Sequence, residues 1–142
     1  MNHETVDIVL IEDSPTDLEL TLHALRQHGL ANDIRVARDG IEAMDVLFGD
    51  GHMGVRPRFI LLDLKLPKMD GFDVLRRIRS DPRTQTVPVV VLTSSRQDPD
   101  IDLAYSLGAN SYVVKPVDFE QFAEVVRTAG LYWLVVNEAP DR

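Results

Sequence analysis

Four short stretches of the chain carry side chains able to do chemistry. They are Glu12 and Asp13 in IEDS, Asp63 in LLDLKLPKMDG, Thr93, Ser94 and Ser95 in VLTSS, and Lys115 in SYVVKP. Each closes or follows an apolar run. Three carboxylates brought together raise one another's pKa and repel, so the cluster calls for a cation. A hard divalent ion with oxygen ligands, Mg2+ or Mn2+, is the natural occupant, and it keeps positions open for water and phosphate oxygens. Lys115 and Thr93 then suit an anionic phosphoryl group, the lysine offsetting charge and the threonine donating a hydrogen bond. A carboxylate can itself be the nucleophile and become an aspartyl phosphate. Asp63 is the candidate, because it ends the central apolar run and a loop follows it.

Taken singly, these features are ordinary. An acidic pair after a strand often only starts a loop, Lys-Pro is a common turn, and threonine suits any strand. Their weight comes from joint placement, which depends on the elements that carry them. VDIVLI (6–11), DIRVAR (33–38), RFILLD (58–63), VPVVVLT (87–93) and SYVVK (111–115) read as strands. Between them lie amphipathic helical segments. The first has Ser14 as N-cap, Pro15 in the first turn, Leu18, Leu22 and Leu25 inward and Gly29 at its stop. GIEAMDVLFG follows, then GFDVLRRIRSDP with Phe72, Leu75 and Ile78 inward, then DPDIDLAYSLG, and a last helix from Asp118, where Asp118 and Gln121 suit a capping box. Near-continuous apolar strands imply a parallel sheet covered on both faces, in an α/β/α sandwich. In such sheets ligands bind beyond the carboxyl ends of the strands, where Glu12, Asp13, Asp63, Thr93 and Lys115 would converge. The Gly-rich segment FGDGHMGVRPR (48–58) is expected to be a long loop.

Length and charge narrow the possibilities. The 142 residues suit one domain. A net charge of −8 disfavours nucleic acid, since phosphate binding needs clustered Lys and Arg, and RRIR (76–79) reads as a solvated helix face. The absence of cysteine excludes disulfides, thiolate metal sites and a cysteine nucleophile, and fits a cytoplasmic location. The N-terminus lacks a basic region and LYWLVV is too short for a bilayer, so neither signal peptide nor membrane anchor is expected. His3, His23, His28 and His52 have no metal-like spacing and read as surface residues.

The order IEDS, LLDLKLPKMDG, VLTSS, SYVVKP resembles the receiver domains of two-component response regulators over almost the whole chain. The resemblance implies a flavodoxin-like, CheY-like fold with strand order 2-1-3-4-5. It implies that Asp63 takes a phosphoryl group from a histidine kinase. Asp13 would be a direct metal ligand, the Lys65 backbone carbonyl another, and Glu12 an outer-shell acid or, with its longer arm than the usual aspartate, a direct ligand. Thr93 would be the switch hydroxyl, Tyr112 the aromatic that turns inward with it, and Lys115 the partner of the phosphoryl oxygens. Pro116 would shape the next loop, often through a cis bond. Lys65 and Ser95 would tune the phosphoryl lifetime, Lys65 by obstructing attacking water.

The expected domain is 1–142 without an effector domain, so output would pass through contact with another protein. Phe122, Val126, Ala129, Trp133 and Val136 form one inward stripe. The segment is apolar on other sides too, which suits a homodimer surface built from the last helix and strand five, of Tyr112, Val125, Leu131, Tyr132, Trp133 and Leu134. Alternatively, Gly130 ends the helix and LYWLVV packs as an irregular arm. LPKMDG, the 48–58 loop and the YWL tail together resemble the single-domain regulators of phytochrome-type histidine kinases. Rival readings fare worse. A haloacid-dehalogenase-type phosphatase needs a second aspartate where Lys65 stands, and a cap for substrate. A flavin or dinucleotide carrier needs a glycine-rich first turn, which IEDSPTD is not. A degenerate receiver used only for binding or dimerisation is disfavoured by the intact Asp63, Thr93 and Lys115.

Overall fold

Apolar residues of both parities along each central strand dictate the layering. Side chains alternate between the two faces of a strand, so a strand that is apolar throughout must be covered twice. The computed structural model describes residues 4–49 and 54–138. It contains β1 (Glu4–Ile11), β2 (Ile34–Ala37), β3 (Val55–Leu62), β4 (Val89–Thr93) and β5 (Ser111–Val114). These form one parallel sheet in the order β2-β1-β3-β4-β5, the order implied by the family resemblance. The helices are α1 (Pro15–Arg26), α2 (Gly40–Phe48), α3 (Gly71–Ser80), α4 (Asp98–Ser106) and α5 (Phe119–Leu131).

On one face Val9, Ile11, Ile60, Leu62, Val89 and Val91 pack with residues of α2, α3 and α4, including Leu47, Leu75, Ile78 and Ala104. On the other, Ile8, Leu10, Phe59, Leu61, Val90 and Leu92 pack with Leu18 and Leu25 of α1 and Phe122 and Val126 of α5. Side-chain caps start four of the helices: Ser14 for α1, Asp39 for α2, Asp70 for α3 and Asp118 for α5 each accept a backbone N–H of the first turn. In α1 the buried residues are Leu18, Thr21, Ala24 and Leu25, with Leu22 only half-buried.

Four expectations need correcting. Strand β3 begins at Val55, not in the high fifties, so part of the segment expected to be loop is strand, and residues 50–53 lie outside the described residues. Pro57 is tolerated there because β4 joins β3 only from Ile60 onward, which leaves that side of Pro57 without a strand partner. Helix α5 also runs straight through Gly130. A Cβ at Gly130 would lie 2.9 Å from Leu25 Cδ2, so glycine here permits a close α1–α5 approach. The chain then continues as a π-helical turn, Tyr132–Val136, and not as an irregular arm. That extra winding rotates the tail: Leu134 is buried in the core while Val136 is exposed, the reverse of the expected stripe and dimer surface. The Arg58 guanidinium, on β3, donates to the Leu134 carbonyl and anchors the turn. Finally, RRIR is only partly a solvated face. Arg76 pairs with Asp73, Arg77 lies over the Phe48 ring, and Arg79 donates to the carbonyls of Val87 (2.7 Å) and Gly108 (3.0 Å) and to Asn110 Oδ1 (2.8 Å).

Candidate functional site

The ladder fixes the site's backbone one residue beyond each strand. The Glu12 N–H donates to the Ala37 carbonyl (3.0 Å), that of Asp63 to Ile11 (3.0 Å) and that of Lys115 to Thr93 (2.7 Å). Glu12, Asp63 and Lys115 therefore stand at one rim, with Thr93 closing β4 beside them. Gly71 explains the Asp-Gly pair of the following loop. Its Cβ would sit 2.5 Å from the Asp63 carbonyl oxygen and 2.5 Å from Leu64 Cα, so the loop folds back on the site only with glycine there. The Gly71 N–H closes that turn on the Leu64 carbonyl at 2.8 Å.

The Lys115 ammonium lies at the centre of the acids. It donates to Glu12 Oε1 at 2.7 Å, Asp17 Oδ2 at 2.8 Å and Asp63 Oδ2 at 3.2 Å. Asp63 Oδ1 accepts the Lys65 N–H at 3.3 Å, and Glu12 Oε2 accepts that of Ser14 at 3.1 Å. Glu12, Asp63 and Thr93 are buried, while Asp13 is exposed. Burial, the charge of Asp63 adding to it, pushes the Glu12 carboxyl up to about 7 even though Lys115 opposes the shift. For Lys115, burial alone would lower the pKa, but hydrogen bonds to Asp17 and Glu12 and the charge of Asp63 outweigh it and push it up.

Carboxylate oxygens of Glu12, Asp13 and Asp63 all lie within 4.8 Å of one another. One lysine charge set against these three and Asp17 leaves the cluster strongly negative. All its donors are hard oxygens, and Asp13 opens it to water, so the residues present fit Mg2+ or Mn2+.

Thr93 is tied to a second group of residues. The Ser95 N–H reaches Thr93 Oγ1 at 3.5 Å, and the Ser95 hydroxyl donates to Asp100 Oδ2 of α4 at 2.5 Å. The Gln97 N–H, at the start of α4, donates to Ser95 Oγ at 3.3 Å. The Tyr112 hydroxyl donates to the Ser95 carbonyl at 3.0 Å, and burial raises its pKa against that hydrogen bond. Lys65 is exposed at the mouth of the site. Pro116 is half-buried, and no cis peptide bond occurs among the described residues, contrary to the expected cis bond before it.

Two participants are not among the residues picked from the sequence. Asp17, in the first turn of α1, reaches Lys115. Asp100 reaches Ser95. The available signal was position: Asp17 lies in the first turn of α1, four residues beyond Asp13, and Asp100 in the first turn of α4. His23 is exposed, and His3 and His52 lie outside the described residues.

Residues 8–127 match the model of the response regulator receiver domain. The chain belongs to the receiver-domain family. "Probable methanogenesis regulatory protein FilR2" of Methanothrix harundinacea is 41% identical over 134 residues, 94% of this chain and 86% of that protein. Response regulator Rcp1 of Synechocystis sp. is 36% identical over 135 residues, 94% of this chain and 92% of that protein. The crystal structure of Mn2+-bound Rcp1 aligns with a TM-score of 0.88 at 34% identity, covering 97% of this chain and 99% of that one. The phosphorylated cyanobacterial phytochrome response regulator RcpA aligns with a TM-score of 0.89 at 37% identity, covering 99% and 100%.

This receiver domain is thus a phosphoacceptor signalling protein of a two-component system. Receiver domains work with histidine kinases and take a divalent ion at the acidic rim, which the cluster of Glu12, Asp13 and Asp63 provides here. Among the described residues, no helix is long and apolar enough to cross a membrane.

Proposed function

We propose that Asp63 is the phosphoacceptor and that Glu12, Asp13, Thr93 and Lys115 serve it. The observation that carries this reading is the convergence of Lys115 and the Glu12–Asp13 pair on the one buried carboxylate that ends the central strand. An Asp63 oxygen attacks the phosphorus of a kinase phosphohistidine, the phosphorus–nitrogen bond breaks, and the imidazole departs. Lys115 follows the charge onto the phosphoryl oxygens, and the Thr93 hydroxyl donates to one of them. Asp13, Asp63 and the Lys65 carbonyl would hold Mg2+ or Mn2+ with Glu12 beside or in the shell, and the ion would neutralise phosphoryl charge. Lys65 screens the group from water, and Ser95 sets access from the other side. Beyond this self-catalysed phosphotransfer and hydrolysis, no separate enzymatic activity is assigned.

The pull of Thr93 reaches Tyr112 and α4 through Ser95, which gives the switch its readout face. A cytoplasmic phytochrome-type kinase is the proposed donor, supported by the near-complete alignment with RcpA, which spans the C-terminal turn. A homodimer through the last strand and last helix is supported by the exposure of Leu131, Tyr132 and Val135 and by a groove of about 620 Å3 between β5 and α5 that includes Val125, Tyr132 and Trp133. Leu134 is excluded from that surface by its burial.

Intact mass after incubation with acetyl phosphate and Mg2+ tests the acceptor. Wild type gains a phosphoryl group only with Mg2+, and Asp63→Asn gains none. A folded wild type that also binds no beryllofluoride would reduce the site to a binding pocket. Sedimentation of Tyr132→Asp tests the dimer, which should dissociate; a variant sedimenting like wild type would remove this surface from consideration.

A further inference from the structure

A lysine ammonium has three N–H donors, and all three in Lys115 are engaged by Glu12, Asp17 and Asp63. A phosphoryl oxygen arriving at Asp63 therefore finds no free donor, and Lys115 can pair with it only by leaving a carboxylate. The three are not equal. The Glu12 side chain is 2% exposed, and losing its cation would strand a buried charge. The Asp17 side chain is 29% exposed, so water can replace the ammonium there. When Asp63 is phosphorylated its own charge moves outward onto the phosphoryl oxygens, which draws the lysine the same way.

We infer that Asp17 is a positioning residue that holds the Lys115 ammonium toward α1 and opposes its transfer to the phosphoryl group. This rests on the reading of Asp63 as phosphoacceptor. The hydrogen bonds that Asp17 makes within the helix start use its backbone: its N–H donates to Ser14 Oγ at 3.3 Å and its carbonyl accepts from Thr21 Oγ1 at 2.7 Å. Its side chain is thus free to act on Lys115. Asp17 also contributes negative charge to the cluster, so removing it has opposite effects on two ligands. A cation bound alone loses an attractive charge. An anionic phosphoryl mimic gains a released lysine and loses a repulsive neighbour.

The test is calorimetric titration of the whole chain with Mg2+ alone, then with beryllofluoride at saturating Mg2+. Wild type, Asp17→Ala, Asp17→Asn, Lys115→Ala and the Asp17→Ala/Lys115→Ala pair are compared, with folding checked by circular dichroism. Asp17→Ala should bind Mg2+ more weakly and beryllofluoride roughly fivefold more tightly, the size of one part-exposed ion pair. Asp17→Asn, which keeps an acceptor oxygen, should fall between, and it carries the test if the alanine variant does not fold. Without Lys115 the tightening should shrink to the smaller part that lost repulsion alone gives, a coupling that a merely structural Asp17 would not produce. Unchanged or weaker beryllofluoride binding in both Asp17 variants, or tightening that survives the loss of Lys115 undiminished, overturns the inference. If wild type itself fails to bind beryllofluoride, the phosphoacceptor reading falls and this inference with it.

Discussion

Glu12 offers a direct test of the electrostatics at the rim. Its carboxyl is pushed from 4.5 up to about 7, with burial the largest cause and the charge of Asp63 adding to it. Because the folded state holds this proton more tightly than the unfolded chain, it binds more protons between pH 4.5 and 7. Stability must then fall as pH rises through that window. A shift of this size corresponds to about 3 kcal/mol at 1.36 kcal/mol per unit. Glu12→Gln removes the titration while nearly conserving shape. Urea unfolding of both proteins in chelator, at intervals from pH 4.5 to 8, isolates the effect, since the other carboxylates titrate in both. Wild type should lose about 3 kcal/mol relative to Glu12→Gln across the window and then level off above pH 7. Repeating the comparison in Asp63→Asn should shrink the drop, because one source of the shift is gone. Saturating Mg2+ should flatten it, because an ion that binds the ionised cluster stabilises only the folded state. Parallel curves for wild type and variant would refute the reasoning. A wild type that gains stability over this range would mean that the 2.7 Å hydrogen bond from Lys115 outweighs burial.

Three further outcomes follow from packing and charge. Gly71→Ala drives a Cβ into the backbone of Asp63 and Leu64 and should cost about 1–3 kcal/mol in urea unfolding while slowing phosphoryl uptake. Arg79→Met leaves the carbonyls of Val87 and Gly108 without their donor, while the Asn110 amide oxygen keeps the Val89 N–H, so it should lower the urea midpoint by the equivalent of about 2–3 kcal/mol, and Arg79→Lys should not restore it because an ammonium lacks the planar fork. Arg83 and its backbone N–H, with Arg77, hold the Asp81 carboxyl well below the usual range. Its stabilising contribution is therefore fully present above about pH 4 and lost as pH falls further, so Asp81→Asn should be less stable than wild type at pH 7 and converge on it in acid.

The sheet was legible because its residues obey one rule at a time. Doubly covered strands are apolar at every position, and Ile8–Ile11, Phe59–Leu62 and Val89–Leu92 satisfy this without exception. The start of β3 was not legible, because Arg56, Pro57 and Arg58 look like loop, and only the stagger of β4 makes a proline acceptable there. The tail was misread for a related reason. A 3.6-residue period assigns Val136 inward, whereas a π-helical turn shifts the phase and buries Leu134 in its place. Asp17 and Asp100 escaped because neither stands at a strand end. Each reaches the site from a helix's first turn, and its partner is set by the crossing of elements distant in sequence.

The rim gathers like charge at a cost to folding. Glu12 and Asp63 are driven together by strand register, through backbone bonds to Ala37 and Ile11 that owe nothing to the acids themselves. Lys115 offsets part of the repulsion, and its own register bond to Thr93 links that role to the strand bearing the hydroxyl. A dication or a phosphoryl group therefore enters a site already under electrostatic strain, and each relieves a different part of it. In the proposed reading the dication would satisfy the surplus acids, and the phosphoryl group would give Lys115 an alternative partner. Any movement of Lys115 or Thr93 then acts on β4 and β5 at adjacent positions, where Ser95 connects them to Tyr112 and Asp100. On the function proposed above, a phosphoryl group that draws on the Thr93 hydroxyl would act on Ser95, whose hydrogen bonds to Tyr112 and Asp100 lead to β5 and α4.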